Sequence, residues 1–153
     1  MVIGEIDNTD MSQSEKIREI LFDSYSVEGK LIGVSDFPPL RRTSGDIRIA
    51  QTKFIGCMSI GRLVAVAELE MSDPDELNIA SFGVHPTVFR RGIGSNLLRH
   101  ILQTYGHLHA TVSTAIRNRP AVTFYEKHGF RLEMKWCTEC GIDMVNLVWD
   151  SEA

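Results

Sequence analysis

Two arginines and two glycines stand where an extended stretch gives way to a helix, and that pairing could hold an anion. The stretch Val84-His85-Pro86-Thr87-Val88-Phe89-Arg90-Arg91-Gly92-Ile93-Gly94-Ser95 is followed by Leu97, Leu98, Ile101, Leu102 and Tyr105 at helical spacing. The first amides of a helix lack intrahelical partners and point outward, and the macrodipole adds partial positive charge there. Gly92 and Gly94 carry no Cβ, so a phosphate can approach the backbone, and Arg90 and Arg91 add cationic donors. The chemistry favoured is phosphate or pyrophosphate binding. A Gly-x-Gly turn can equally do no more than start a helix, so the surrounding elements decide between the two.

Those elements follow from the apolar pattern. Val2 to Ile6 reads as a strand, and Thr9, Asp10 or Ser12 caps a helix carrying Ile17, Ile20 and Leu21 that frays near Ser26 to Gly29. From Lys30 to Ile49 the period is broken by Asp36, Pro38, Pro39, Arg41, Arg42, Ser44 and Gly45, which predicts a long loop with one short helix. Phe54 to Ile60 and Leu63 to Met71 form a hairpin through Gly61. In its second strand Val64, Val66, Glu68 and Glu70 share one face, with Leu63, Ala65, Ala67 and Leu69 on the other. A turn at Ser72 to Asp75 returns the chain through Leu77 to Val84, completing a three-stranded meander that ends in the glycine loop.

The helix after the loop stops at Gly106, and Leu108 to Thr114 reads as a strand parallel to the one before the loop. The anion seat then lies at the carboxyl end of the first of these strands. Asn118 or Arg119 caps a second helix with Pro120 in its first turn, and Ala121, Phe124, Tyr125 and His128 follow at helical spacing. Gly129 suits a left-handed cap that folds Phe130 back on Tyr125, and Leu132 to Cys137 and Met144 to Trp149 close the chain as a hairpin.

With 153 residues, 43% hydrophobic and 24% charged, the chain fits one domain (1–153) with a real core. A formal net charge of -4 argues against nucleic acid or an anionic membrane as the main partner. No secretory leader pattern or membrane-length apolar run is present, which places the expectation in the cytoplasm. Three cysteines make a disulfide framework a poor reading. Cys137-Thr138-Glu139-Cys140 is a single Cys-x-x-Cys, and without two further ligands it reads as a hairpin turn rather than a metal site.

Two stretches together, Val84 to Leu98 and Asn118-Arg119-Pro120-Ala121-Val122-Thr123-Phe124-Tyr125-Glu126-Lys127-His128-Gly129-Phe130, resemble the GNAT superfamily of acyl-CoA-dependent N-acyltransferases. That family's pyrophosphate loop reads Gln/Arg-x-x-Gly-x-Gly/Ala, and its later helix Asn-x-x-Ala-x-x-Phe/Leu-Tyr-x-x-x-Gly-Phe. The element order from Val2 to Trp149 also fits. One position departs: Phe89 stands at the usual Gln/Arg site, so the amides, with Arg90 and Arg91, must carry the pyrophosphate.

The resemblance implies an α+β fold: a mostly antiparallel seven-stranded sheet with one parallel, splayed pair and helices on both faces. It implies acetyl-CoA as co-substrate, with no metal. The pantetheine arm would pair with backbone at Phe82, Gly83 and Val84. The pyrophosphate would meet Phe89, Arg90, Arg91, Gly92, Ile93, Gly94 and Ser95, with Asn118 and Ala121 beside the arm and Tyr125 facing the thioester sulfur. The acceptor would lie against the first helix and the Phe37 to Arg42 loop, where Arg41 and Arg42 could hold an acceptor carboxylate. A loop packed on the core with two solvated arginines is the other reading of the same residues.

An alkylammonium has a pKa near ~10.4, so roughly one in a thousand or fewer is neutral and nucleophilic at neutral pH. The implied reaction, an acetyl transfer to a primary amine of a small molecule, therefore needs a base, an oxyanion donor near Val84 and an acid near sulfur. Tyr125 is the candidate acid, unless it is only a core aromatic with its hydroxyl tied to backbone. Glu68 and Glu70 are the candidate bases if their face lines the cleft, and a solvated strand face if it does not; His85 beside Pro86 is a third. A protein amino group as acceptor, and an acyl-CoA-binding module without turnover, are the competing functions. Sheet edges in small domains pair, which leaves a homodimer open.

Overall fold

The computed structural model of the chain describes residues 1–105 and 109–151. Seven strands form one sheet: β1 (Val2–Ile6), β2 (Lys53–Ser59), β3 (Arg62–Asp73), β4 (Glu76–Val84), β5 (His109–Ala115), β6 (Arg131–Cys137) and β7 (Asp143–Asp150). Their order is β1-β2-β3-β4-β5-β7-β6. All neighbours are antiparallel except β4 and β5, which run parallel. The α-helices are α1 (Met11–Ile32), α2 (Ser44–Ile49), α3 (Ile93–Tyr105) and α4 (Arg119–Lys127), with short 3-10 turns at Pro38–Arg41 and Pro86–Val88. Helix α1 packs on Val66 and Phe54 on one face, while Leu97 and Ile101 of α3 and Val122 of α4 cover Ala65, Ala67 and Val112 on the other. The α+β sheet with a single parallel pair is the one the sequence implied. Gly106 and Leu108, which closed a helix and opened a strand in that reading, lie outside the described residues.

Helix α1 corrects the reading most. It does not fray near Gly29 but runs to Ile32 and ends at Gly33, whose φ of 75° is left-handed and whose amide reaches the carbonyls of Gly29 and Lys30. Gly29 does not break the helix. It is buried, and a Cβ there would lie 3.5 Å from Phe37 and 3.4 Å from the Val34 carbonyl, so glycine lets the following loop close onto the helix. The helix extends because Ile17, Leu21, Tyr25, Glu28 and Ile32 continue one inward stripe at steps of three and four.

Two of the sheet's bulges bear on the site. Cys57 pairs with Ala65 and Met58 with Leu63, so Val64 is an extra residue and the faces exchange there. Leu63 packs with the α1 cluster and Val64 with the α3 cluster, opposite to strict alternation. In β4, Ser81 pairs with Glu68 and Ile79 with Leu69, leaving Ala80 as the extra residue. The residues between Cys137 and Asp143 form the expected hairpin turn, in which the Thr138 amide donates to the Ile142 carbonyl at 2.9 Å. Cys137 and Cys140 are free and exposed there.

The turn joining β2 to β3 carries strain. Ile60 has φ 50° and Gly61 φ 70°, the pattern of a two-residue turn with both central residues left-handed, and Ile60 is 97% exposed. A left-handed β-branched residue costs about 1–2 kcal/mol, and nothing packs on this side chain in return. Ile60→Asn is expected to stabilise the protein by about 1 kcal/mol, raising Tm by about 2–4 °C in a thermal melt. An unchanged Tm would show that the turn relaxes without cost.

Candidate active site

The site begins where a strand pair comes apart. Strands β4 and β5 pair only from Glu76 opposite His109 to Ile79 opposite Val112, although β4 continues to Val84 and β5 to Ala115. The break falls at the Ala80 bulge, which bends β4 away from its neighbour. A cavity of about 870 Å³ opens in the gap. At one end it meets the loop before α3 and the start of α4; at the other it meets α1 and the β6–β7 turn.

At the first end the backbone is arranged for an anion. Arg90 has φ 64° and Gly92 φ 76°, so left-handed residues alternate with others and turn successive amides to one side. The Gly92 carbonyl accepts from Asn96 at 3.0 Å and opens α3, so the amides of Ile93, Gly94 and Ser95 have no acceptor in the helix. Phe89, Arg90, Gly92, Ile93, Gly94 and Ser95 all line the cavity, whereas Arg91 is exposed and does not. A non-glycine residue held left-handed, as Arg90 is, belongs to the class of strains that collect at binding loops.

The splayed strand supplies the middle of the site. The Phe82 amide points away from β3 and donates to the Tyr25 hydroxyl at 3.3 Å, while His85 donates back to Val64 of β3 at 2.8 Å. By alternation the Val84 amide points into the gap with that of Phe82, and it is the one Tyr25 leaves free. Phe82 and Val84 line the cavity; Gly83 instead packs against Leu21 and Ser24 of α1, where a Cβ would come within 3.2 Å of both.

Tyr125 of α4 is 5% exposed, with ring contacts to Phe82, Phe124 and Phe130 at 6.3, 5.2 and 5.4 Å between centroids. Its hydroxyl has no protein hydrogen-bond partner among the described residues, yet no fully buried side-chain polar atom is left unpaired, so the hydroxyl opens into the cavity it lines. A purely structural buried tyrosine would tie that oxygen to the protein. Burial, with Tyr25 and Glu28 nearby, pushes its pKa well above the ordinary tyrosine value, so it stays protonated. Asn118 caps α4 by accepting from the Ala121 amide at 3.3 Å, and both residues also line the cavity.

The two strand glutamates have different surroundings and neither lines the cavity. Glu70 is exposed. Glu68 is 4% exposed and fully engaged: Arg42 binds both its oxygens at 2.6 and 2.9 Å, Thr52 donates at 2.6 Å and Ser81 at 2.8 Å. Burial works to raise its pKa, but the bonds from Arg42, Thr52 and Ser81 outweigh it and hold the carboxyl below its ordinary value. The network fastens α2's approach and β3 to Ser81, next to the Ala80 bulge. Its stabilisation is full above the ordinary carboxylate range and is lost as pH falls through the lowered folded value.

Arg42→Lys keeps the charge but cannot span both oxygens, and is expected to cost about 1–2 kcal/mol in a denaturant titration. A loss below the error of that titration would show that one contact suffices. Arg41 turns outward to Asp36, a surface pair at 2.6 Å with both side chains mostly exposed, which contributes little. Phe37 is buried and lines the cavity; Arg41 and Arg42 do not.

The sequence reading missed Glu28. It sits on α1 within the stretch read as fraying, and it is the one carboxylate among the residues lining the cavity. Burial raises its pKa above the ordinary carboxylate value, with the polar side chains of Asn118 and Thr114 pulling partly the other way. The signal was present: Glu28 falls three residues after Tyr25 and four before Ile32, an acid inside an inward-facing stripe. Among the described residues no group of three or more His, Cys, Asp or Glu is placed to hold a metal ion.

The family model for GNAT acetyltransferases matches residues 14–130. UPF0157 protein YqkA of Bacillus subtilis (strain 168) is 34% identical over 118 residues, covering 74% of this chain and 34% of that protein. Peptidyl-lysine N-acetyltransferase YiaC of Escherichia coli (strain K12) is 32% identical over 72 residues, 46% of this chain and 48% of that one. The chain thus matches between a third and a half of the length of these curated relatives. Among solved structures, the PaiA N-acetyltransferase of Thermoplasma acidophilum in complex with coenzyme A superposes with a TM-score of 0.75 at 16% identity, over 98% of this chain and 99% of that chain. The splayed parallel pair, the amide loop before α3 and the Asn118 to Phe130 helix all fall in or beside the matched span, and the chain belongs to the GNAT acetyltransferase family.

Proposed function

We propose that the protein is an N-acetyltransferase moving an acetyl group from acetyl-CoA to a primary amine of a small molecule by direct attack. The observation that carries this reading is the β4–β5 gap, where, among the described residues, unpaired loop amides, an unpartnered phenol and one partly buried carboxylate share a single cavity. The amides of Ile93, Gly94 and Ser95, with Arg90, suit the pyrophosphate, and Phe89 leaves that role to backbone. The free Val84 amide suits the acyl oxygen as it gains negative charge.

Glu28 takes a proton from the ammonium, and its raised pKa makes it a better base than an ordinary carboxylate. The neutral nitrogen attacks the thioester carbon, the N–C bond forms, and the C–S bond breaks. Tyr125 gives its proton to the departing sulfur, leaving the free thiol, and recovers one from the acylated nitrogen. Glu68, bonded four times over, serves the shape of the site in this scheme. Two exposed thiols, Cys137 and Cys140, suit a reducing, cytoplasmic setting.

Likeness to YiaC supports a second reading in which the acceptor is a protein lysine. Calorimetry with coenzyme A, paired with thiol release from acetyl-CoA against a panel of amines, tests both. Heat on binding and turnover with a small amine are expected. Turnover restricted to peptide lysines favours the second reading, binding without turnover favours a non-catalytic module, and no heat overturns the proposal.

A further inference from the structure

The acceptor end of the cavity has a chemistry of its own. Between the last turns of α1 and the β6–β7 hairpin it is walled by Val27, Leu31, Phe37, Trp136, Ile142 and Met144. Leu31 is 51% exposed, Val27 41% and Trp136 40%, a large apolar surface for residues that flank a cavity. Only two charged side chains line the cavity among the described residues, Glu28 at this end and Arg90 at the phosphate end. The arginines around this wall are engaged elsewhere: Arg42 on Glu68, Arg41 on Asp36, and Arg117 on the Ile32 carbonyl at 3.2 Å.

The aromatic groups are also fixed in place. The Trp136 indole N–H donates to Asn146 Oδ1 at 2.8 Å, and Ser113 donates to the same oxygen at 2.6 Å, so the ring is anchored at the strand edge. Phe37 stands edge-on to Tyr25 at 6.1 Å and closes on Gly29. Rigid rings bind a flat apolar group at low ordering cost.

We infer that the acceptor is an arylalkylamine without a carboxylate: its ammonium meets Glu28 and its ring lies among Leu31, Phe37 and Trp136. The inference rests on the acetyltransferase reading and deepens it. A carboxylate beside the amine, as in an α-amino acid, would enter this end with no cation among the described lining residues to pair it and would share the end with Glu28. The occupant is set by charge complementarity: one acid, no base and an apolar wall.

The test compares 2-phenylethylamine, phenylalanine and a lysine-containing peptide as acceptors in the thiol-release assay with the full chain. Phenylethylamine is expected to exceed phenylalanine in kcat/KM by about 100-fold, the scale of leaving a buried charge unpaired. Trp136→Ala and, separately, Leu31→Ala are expected to raise its KM about tenfold, with coenzyme A affinity by calorimetry unchanged. Equal use of phenylalanine, preference for the peptide, or an unmoved KM in both variants would overturn the inference while leaving acetyl transfer standing. Turnover with no amine, or no coenzyme A binding, would remove both together.

Discussion

Tyr125→Phe is expected to lower kcat by about 10²-fold while the coenzyme A dissociation constant stays within about twofold of the parent. The variant keeps the ring that packs on Phe82, Phe124 and Phe130 and loses only an oxygen with no protein partner among the described residues. Folding should therefore be almost untouched, and a thermal melt within about 1–2 °C of the parent checks that. In the proposed mechanism the loss falls on the chemical step, because the hydroxyl would act on sulfur only as the C–S bond breaks. Burial keeps it protonated across neutral pH, so the parent shows no rate change from tyrosine titration there. Unchanged kcat in the variant would remove Tyr125 from the mechanism.

Glu28→Gln is the second large effect: kcat/KM for an amine is expected to fall by about 10²-fold. The parent's rate should fall as pH drops through the raised pKa of Glu28, and this acid limb should vanish in the variant. Stability gives an independent readout. A carboxyl whose folded pKa is raised contributes stability that is full below its unfolded value and lost as pH rises through the folded one. Above that folded value the ionised, partly buried Glu28 is thus a burden on the fold, and there the glutamine variant should melt no lower than the parent. Below the ordinary carboxylate range of about 4 that advantage disappears. A variant that stays fully active, or keeps the acid limb, would assign the proton to another group.

How much of this was legible beforehand differs by residue. The strand before the glycine loop, helix α3 and the capped α4 were plain, because alternation, helical spacing and cap residues all agree there. Tyr125 was legible as a cavity residue because the Asn118 to Phe130 pattern singles it out. Glu28 was not, because Gly29 looked like a helix end; only the tertiary fit against Phe37 shows that a glycine there serves close packing. Glu68 was read as a candidate base from a face count, which could not register Arg42 arriving from 26 residues earlier to occupy both oxygens. The Val64 and Ala80 bulges break alternation without a residue type that announces them. The splay itself, which makes the site, was therefore implied by resemblance and invisible to periodicity.

The seat before α3 is built from main-chain groups set by two left-handed torsions, at Arg90 and Gly92. Such a grip is indifferent to the identity of most side chains hung on it, which is why an aromatic at position 89 does no evident harm to its geometry. The exposed side chains at 89 and 91 can vary widely, but the two left-handed positions cannot. Position 92 has open space around it and φ 76°, so a census of tolerated replacements should favour glycine and asparagine there beside wide permissiveness at 89 and 91.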